Sequence, residues 1–85
     1  MRVRFFGSSK CRECMEVFIL LNRFSIEYEY IDTMDDDDKT QNFCDDNGVE
    51  ELPHLQFITD ADVILQHIGP LDEEDLIRYL ISIDI

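Results

Sequence analysis

Eighty-five residues with a formal net charge of −13 make one small domain, and a chain this short buries only a little over roughly 60% of the surface its unfolded form exposes. Hydrophobic residues make up 45% of it, which excludes disorder throughout, and the negative charge excludes nucleic acid as a partner because phosphates would be repelled. No stretch reaches the roughly 20 apolar residues of a membrane span, and Met1 to Phe6 has neither the apolar run nor the cleavage site of a signal peptide, so a cytoplasmic monomer away from membranes is expected.

Arg2 to Phe6 alternates long polar and apolar residues until Gly7-Ser8-Ser9 interrupts, which predicts a first strand followed by a loop. From Cys14 to Phe24 the apolar residues Cys14, Val17, Phe18, Leu21 and Phe24 recur at spacings of three and four. That spacing predicts an amphipathic helix beginning at or just after Cys11. Ile26 to Ile31 alternates with period two, so strand, helix and strand read as a right-handed βαβ unit with parallel strands.

Asp32 to Asp38 reads as the acidic start of a second helix, with Gly48 as its stop. Leu55 to Ile58 and Val63 to Gln66 are short apolar strands, and Thr59-Asp60-Ala61-Asp62 between them is hairpin chemistry. Gly69-Pro70 ends the hairpin, and Asp72, with Asp75 three residues on, caps a last helix with apolar face Leu76, Ile77, Leu80 and Ile81. The order β-α-β-α-β-β-α over residues 1–85 predicts a single α/β domain, a four-stranded mixed sheet with three helices.

Charge is unevenly spread. Residues 1–25 carry Arg2, Arg4, Lys10, Arg12 and Arg23 against Glu13 and Glu16, a net +3, which leaves −16 on the other 60 residues. Inside this basic island lies Cys11-Arg12-Glu13-Cys14. In a reducing compartment a close cysteine pair reads as catalytic or metal-binding rather than as a structural disulfide framework. A thiol at a helix N-terminus sits beside unpaired N–H groups and the positive end of the macrodipole, which favour thiolate over thiol. Cys11 is thus the expected nucleophile and Cys14, one helical turn on, the resolving cysteine. Lys10 and Arg12 flank the nucleophile and favour its thiolate, while Glu13 opposes them.

Zinc would need two further ligands, and Cys44, His54 and His67 form no second close-spaced pair, so no metal is expected. Cys44, beside Phe43, is expected as a buried apolar filler, and the two histidines as satisfied or exposed side chains. The alternative reading of the pair is two ordinary cysteines in a protein-binding module that docks through its acidic surface without redox turnover.

Three segments carry a family resemblance over essentially the whole chain: Cys11-x-x-Cys14 after the first strand, Leu52-Pro53 before the third, and His67-Ile68-Gly69-Pro70-Leu71-Asp72 after the fourth. With them the chain resembles glutaredoxin, a branch of the thioredoxin superfamily. The resemblance implies a thioredoxin-like fold of glutaredoxin type and thiol–disulfide oxidoreductase activity. It also implies a cis Pro53 facing the cysteines, with the main chain of Leu52 offered to an extended substrate. Gly69, Leu71 and Asp72 occupy the segment that holds the γ-glutamyl end of glutathione in the family, and Lys10 or Arg12 would grip a glutathione carboxylate. Pro70 and Leu71 stand where the family usually has a glycine and a small residue, and Arg12-Glu13 stands in place of its Pro-Tyr. No bound cofactor is expected. Glutathione or a flavoprotein reductase is the expected reductant, and a disulfide-bearing protein such as a ribonucleotide reductase the expected substrate.

Overall fold

The computed structural model describes residues 1–84. Its elements follow the predicted order: β1 (Arg2–Gly7), α1 (Arg12–Arg23), β2 (Glu29–Asp32), α2 (Asp38–Asp46), β3 (His54–Ile58), β4 (Ile64–Ile68) and α3 (Glu73–Asp84). The four strands form one sheet in the order β2-β1-β3-β4. β1 and β2 are parallel, as the βαβ reading requires, while β1–β3 and β3–β4 are antiparallel. No helix is long and apolar enough to cross a membrane among the described residues.

Alternation along β1 divides the core between the two faces of the sheet. Val3 and Phe5 join Leu55 and Phe57 of β3 on one face, where Val17, Leu20 and Leu21 of α1 and Leu76 of α3 cover them. Phe6 points the other way and packs with Ile31 and Cys44 under α2. The first face is aromatic. Phe5, Phe18, Tyr28 and Tyr30 form a cluster with centroids 4.7–6.0 Å apart, and Phe57 stacks on Tyr79 at 4.5 Å. The second face is partly polar. Arg4 lies 5.1 Å over the Phe43 ring and donates to the Gln56 side-chain oxygen, while buried Gln56 donates to the Asn47 side chain.

Several boundaries differ from the sequence pattern for local reasons. β2 begins at Glu29 rather than Ile26, because Ile26 N–H donates to the Leu21 carbonyl and closes the end of α1, next to Ser25 at φ 55°. Ile26 and Tyr28 still pack on the core from that connection, which is why their alternation reads as strand. α2 begins at Asp38 because the acids before it are used in turns: Asp32, Asp35 and Asp37 each accept the backbone N–H two residues on. Asp37 becomes the N-cap, and Gly48 takes the left-handed conformation (φ 66°) just past the helix end. β4 runs two residues beyond Gln66, to Ile68.

The face of α3 is a correction. Leu76 is buried and Tyr79, Leu80 and Ile83 pack on the core, whereas Ile77 and Ile81 are 40% and 57% exposed. Consecutive helical residues point about 100° apart, so only one member of each pair 76/77 and 80/81 can face the sheet. Leu76→Ala should therefore cost about 2–5 kcal/mol in urea unfolding, while Ile81→Ala stays within about 1 kcal/mol of wild type.

Candidate active site

Gly7 ends β1, and the next turn is closed by two short contacts: the Ser8 hydroxyl oxygen accepts Lys10 N–H at 3.1 Å, and the Ser8 carbonyl accepts Cys11 N–H at 3.1 Å. This turn delivers Cys11 as the N-cap of α1, where its sulfur accepts the Cys14 backbone N–H at 3.2 Å. A sulfur in that position meets the unpaired N–H groups and positive pole of the helix, the environment that stabilises a thiolate. Cys11 and Cys14 are at disulfide distance, with Cα atoms 5.2 Å apart.

The two sulfurs are not equivalent. Cys14 lies on the core stripe of α1 with Val17 and Leu21 and is 0% exposed, whereas Cys11 is only partly buried. An incoming sulfur therefore reaches Cys11 first. Lys10 and Arg12 beside it are exposed and have no ion-pair partner among the described residues, so their charge is free to act on the site.

Sheet register assembles the rest. Phe6 pairs with His54, and His54 with Ile68, so Pro53 and Gly69 stand at the same end of the sheet as Gly7. The Leu52–Pro53 peptide is cis, and Gly69 N–H donates to the Pro53 carbonyl at 2.8 Å. All three segments behind the family resemblance thus converge. Asp72 caps α3 by accepting Asp75 N–H at 2.8 Å, and its exposed carboxylate keeps further acceptor capacity. Leu71 turns its side chain into the core, 7% exposed, so it offers a ligand only its backbone. Leu52 is half-buried against both core clusters.

Gly7 and Tyr30 are contributors that the sequence pattern did not single out. A Cβ on Gly7 would stand 3.0 Å from Phe5 Cε1, 3.1 Å from Tyr30 Cε1 and 3.3 Å from Cys14 Sγ. The missing side chain lets the Tyr30 ring and the Cys14 sulfur close over the strand together. Burial, then the charges of Asp32 and Tyr28, push the Tyr30 hydroxyl above its ordinary pKa. The available signal was a glycine ending the strand that feeds the cysteine loop. Gly7→Val should destabilise by about 1–3 kcal/mol through overpacking, read by urea unfolding of the oxidised protein.

The histidines are held structurally. His54 is buried, with Nε2 2.7 Å from the Gln66 side-chain oxygen, and its ring meets Phe6 edge-on. His67 donates through Nε2 to the Pro70 carbonyl and bonds the Tyr79 hydroxyl through Nδ1. Among the described residues no three His, Cys, Asp or Glu side chains gather as a metal site.

Cys44 is a free, buried thiol under α2, on the opposite face of the sheet from Cys14. Burial, then Asp45, pushes its pKa up. The folded chain thus holds this proton more tightly than the unfolded one. The stabilisation is complete below the ordinary thiol value of about 8.5 and is lost as pH rises through the raised folded value. Urea midpoints should fall as pH rises above about 8.5, and Cys44→Ala should flatten that decline.

No family model and no curated protein matches the chain. Solved structures do. Thioredoxin 1 from the thermophilic eubacterium Thermosipho africanus TCF52B superposes with a TM-score of 0.71 at 16% identity, covering 96% of this chain and 92% of that one. Thioredoxin O2 from Arabidopsis thaliana in its oxidised state gives 0.73 at 20% identity, covering 95% of this chain and 72% of that one. A structure described as that of a malarial protein gives 0.73 at 18%, covering 98% and 96%. Together with the four-stranded mixed sheet and three helices, these matches show that the chain has the thioredoxin fold.

Proposed function

We propose that the protein is a thiol–disulfide oxidoreductase that passes two electrons through Cys11 and Cys14. The observation that carries this reading is the asymmetric pair itself: one accessible sulfur capping a helix and one buried sulfur within disulfide distance.

In the reduced protein the Cys11 thiolate attacks one sulfur of a substrate disulfide. A mixed disulfide forms, and the other substrate sulfur leaves as thiolate. Cys14 loses its proton and attacks the Cys11 sulfur, which forms the intramolecular disulfide and releases the second substrate thiolate. The substrate gains two electrons and the cysteine pair loses two. Reduction of the pair by two thiols, or by a flavoprotein reductase, resets it.

Within this chemistry the glutaredoxin-type reading rests on Gly69 beside Pro53, on Asp72 at the start of α3, and on the cations Lys10 and Arg12 next to Cys11, unpaired among the described residues. Glutathione is then the reductant. The substrates are glutathione mixed disulfides or a protein disulfide such as that left by a ribonucleotide reductase. The setting is the cytoplasm, where a cysteine pair cycles instead of persisting as a disulfide.

Alkylation of the reduced protein across a pH series should show one thiol, absent in Cys11→Ser, titrating below the free value of about 8.5. Cys14→Ser should accumulate the mixed disulfide that the wild type resolves. Two thiols of ordinary pKa would instead support the redox-silent binding module. Turnover driven by glutathione with its reductase, compared with turnover driven by a thioredoxin reductase, separates the glutaredoxin type from a thioredoxin-like one.

A further inference from the structure

The two edges of the sheet are protected differently. β2, on one side, carries Glu29 and Asp32, with Glu27 just before it. β4, on the other, lies in a run from Val63 to Leu71 without a charged residue, in a chain of net charge −13. Exposed edge strands are ordinarily guarded by charge, proline or a cover, because their unpaired N–H and C=O groups recruit another strand. β4 has neither charge nor proline along its length, and its cover is limited to the Tyr79 hydroxyl beside the Gln66 carbonyl.

Its unpaired groups can be assigned. Thr59 N–H donates to the Val63 carbonyl and Gly69 N–H to the Pro53 carbonyl, so Val63, Leu65, His67 and Gly69 direct their main chain toward β3. Ile64, Gln66 and Ile68 then direct theirs outward. The side chains of Ile64 and Ile68 stand on the face shared with His54 and Gln56, and are 45% and 53% exposed.

We propose that β4 pairs antiparallel with β4 of a second copy about a two-fold axis through Gln66, joining two four-stranded sheets into one of eight. The strand is its own complement in this register. Ile64 of one copy faces Ile68 of the other in a hydrogen-bonded pair at each end, and Gln66 faces Gln66 between them, so two isoleucine pairs flank a central glutamine pair. On the opposite face a groove of about 340 Å³ beside the edge is lined by Leu65, Asp75, Arg78, Tyr79 and Ser82. The two-fold axis brings this groove against its own copy, with one acid and one base from each chain to match. Tyr79 marks the axis, since its hydroxyl lies 3.3 Å from the outward carbonyl of Gln66.

Charge favours a second copy over an acidic or basic partner, because the edge itself is neutral and the groove carries both signs. The same register sets the Asp60 turn near Asp72 of the other chain, and Asp60 is already paired with the Met1 amino group at 2.9 Å. The remaining repulsion between two chains of −13 makes the association weak and strengthened by salt.

Sedimentation equilibrium of the full chain, with a thiol reductant present, tests this independently of any redox activity. The mean mass should climb from one chain toward two as concentration rises from micromolar to millimolar, and climb earlier in high salt. The double variant Ile64→Lys, Ile68→Lys should stay at one chain with an unchanged far-UV spectrum. A second measurement reads the register. With Cys11, Cys14 and Cys44 replaced by serine, Gln66→Cys should oxidise rapidly to a linked dimer and Ile64→Cys should do so at least tenfold more slowly. A wild type that stays at one chain throughout, a double variant that associates like wild type, or equal linking at positions 64 and 66 would each overturn the proposal.

Discussion

The hydrogen bond from the Cys14 backbone to the Cys11 sulfur joins two requirements that most residues meet separately. A helix start needs an acceptor for its unpaired N–H groups, and a redox cysteine needs donors for its thiolate. Here one sulfur answers both, so the cap of α1 and the setting that favours a Cys11 thiolate are the same structural fact. Everything else at the site positions that turn. The Ser8 contacts shape the loop entering it, Gly7 leaves room beneath it, and the buried stripe Cys14, Val17, Leu21 fixes which way the helix faces.

That orientation matters because the sheet gathers the other pieces at the same end. β1 and β4 finish there and β3 begins there. Pro53 and Gly69, each 40 or more positions from Cys11 in sequence, come to its end of the sheet through strand register. The Gly69 to Pro53 hydrogen bond locks two of these segments to each other. Leu71 contributes to the same corner from below, by anchoring the entry to α3 in the core.

Much of this was legible in the sequence, for physical reasons that differ by element. The stripe of α1 and the short apolar strands β3 and β4 carry their periodicities openly, because one face of each meets the main core. The cysteine spacing, the Leu52-Pro53 pair and the cap at Asp72 are local features and could be read locally. The acidic stretch before α2 could not be divided correctly, since aspartate serves turns and helix starts by the same hydrogen bond two residues on. α3 misled for another reason: paired apolar residues at 76/77 and 80/81 offer two candidate faces, and only the packed sheet chooses between them. Tyr30 near the Cys14 sulfur was illegible because its approach depends on a missing side chain on a neighbouring strand.

The two faces of the sheet are built from different materials, and this has a consequence for how the molecule opens. Aromatic and aliphatic packing joins α1 and α3 to β1 and β3, whereas α2 is held by a smaller apolar cluster, Phe6, Ile31 and Cys44 with Phe43, Val49 and Leu52 packed on them, and by the Arg4–Gln56–Asn47 chain of hydrogen bonds. Such side-chain hydrogen bonds exchange readily for bonds to water, each contributing about 0.5–1.5 kcal/mol net. With fewer buried apolar contacts, α2 and its acidic entry loop are expected to open at lower cost than the aromatic side. Cys11 and Cys14 lie on the more heavily packed side, and the acidic loop is tied to the strand that leads to them through Thr33, whose N–H and hydroxyl both donate to the Gly7 carbonyl.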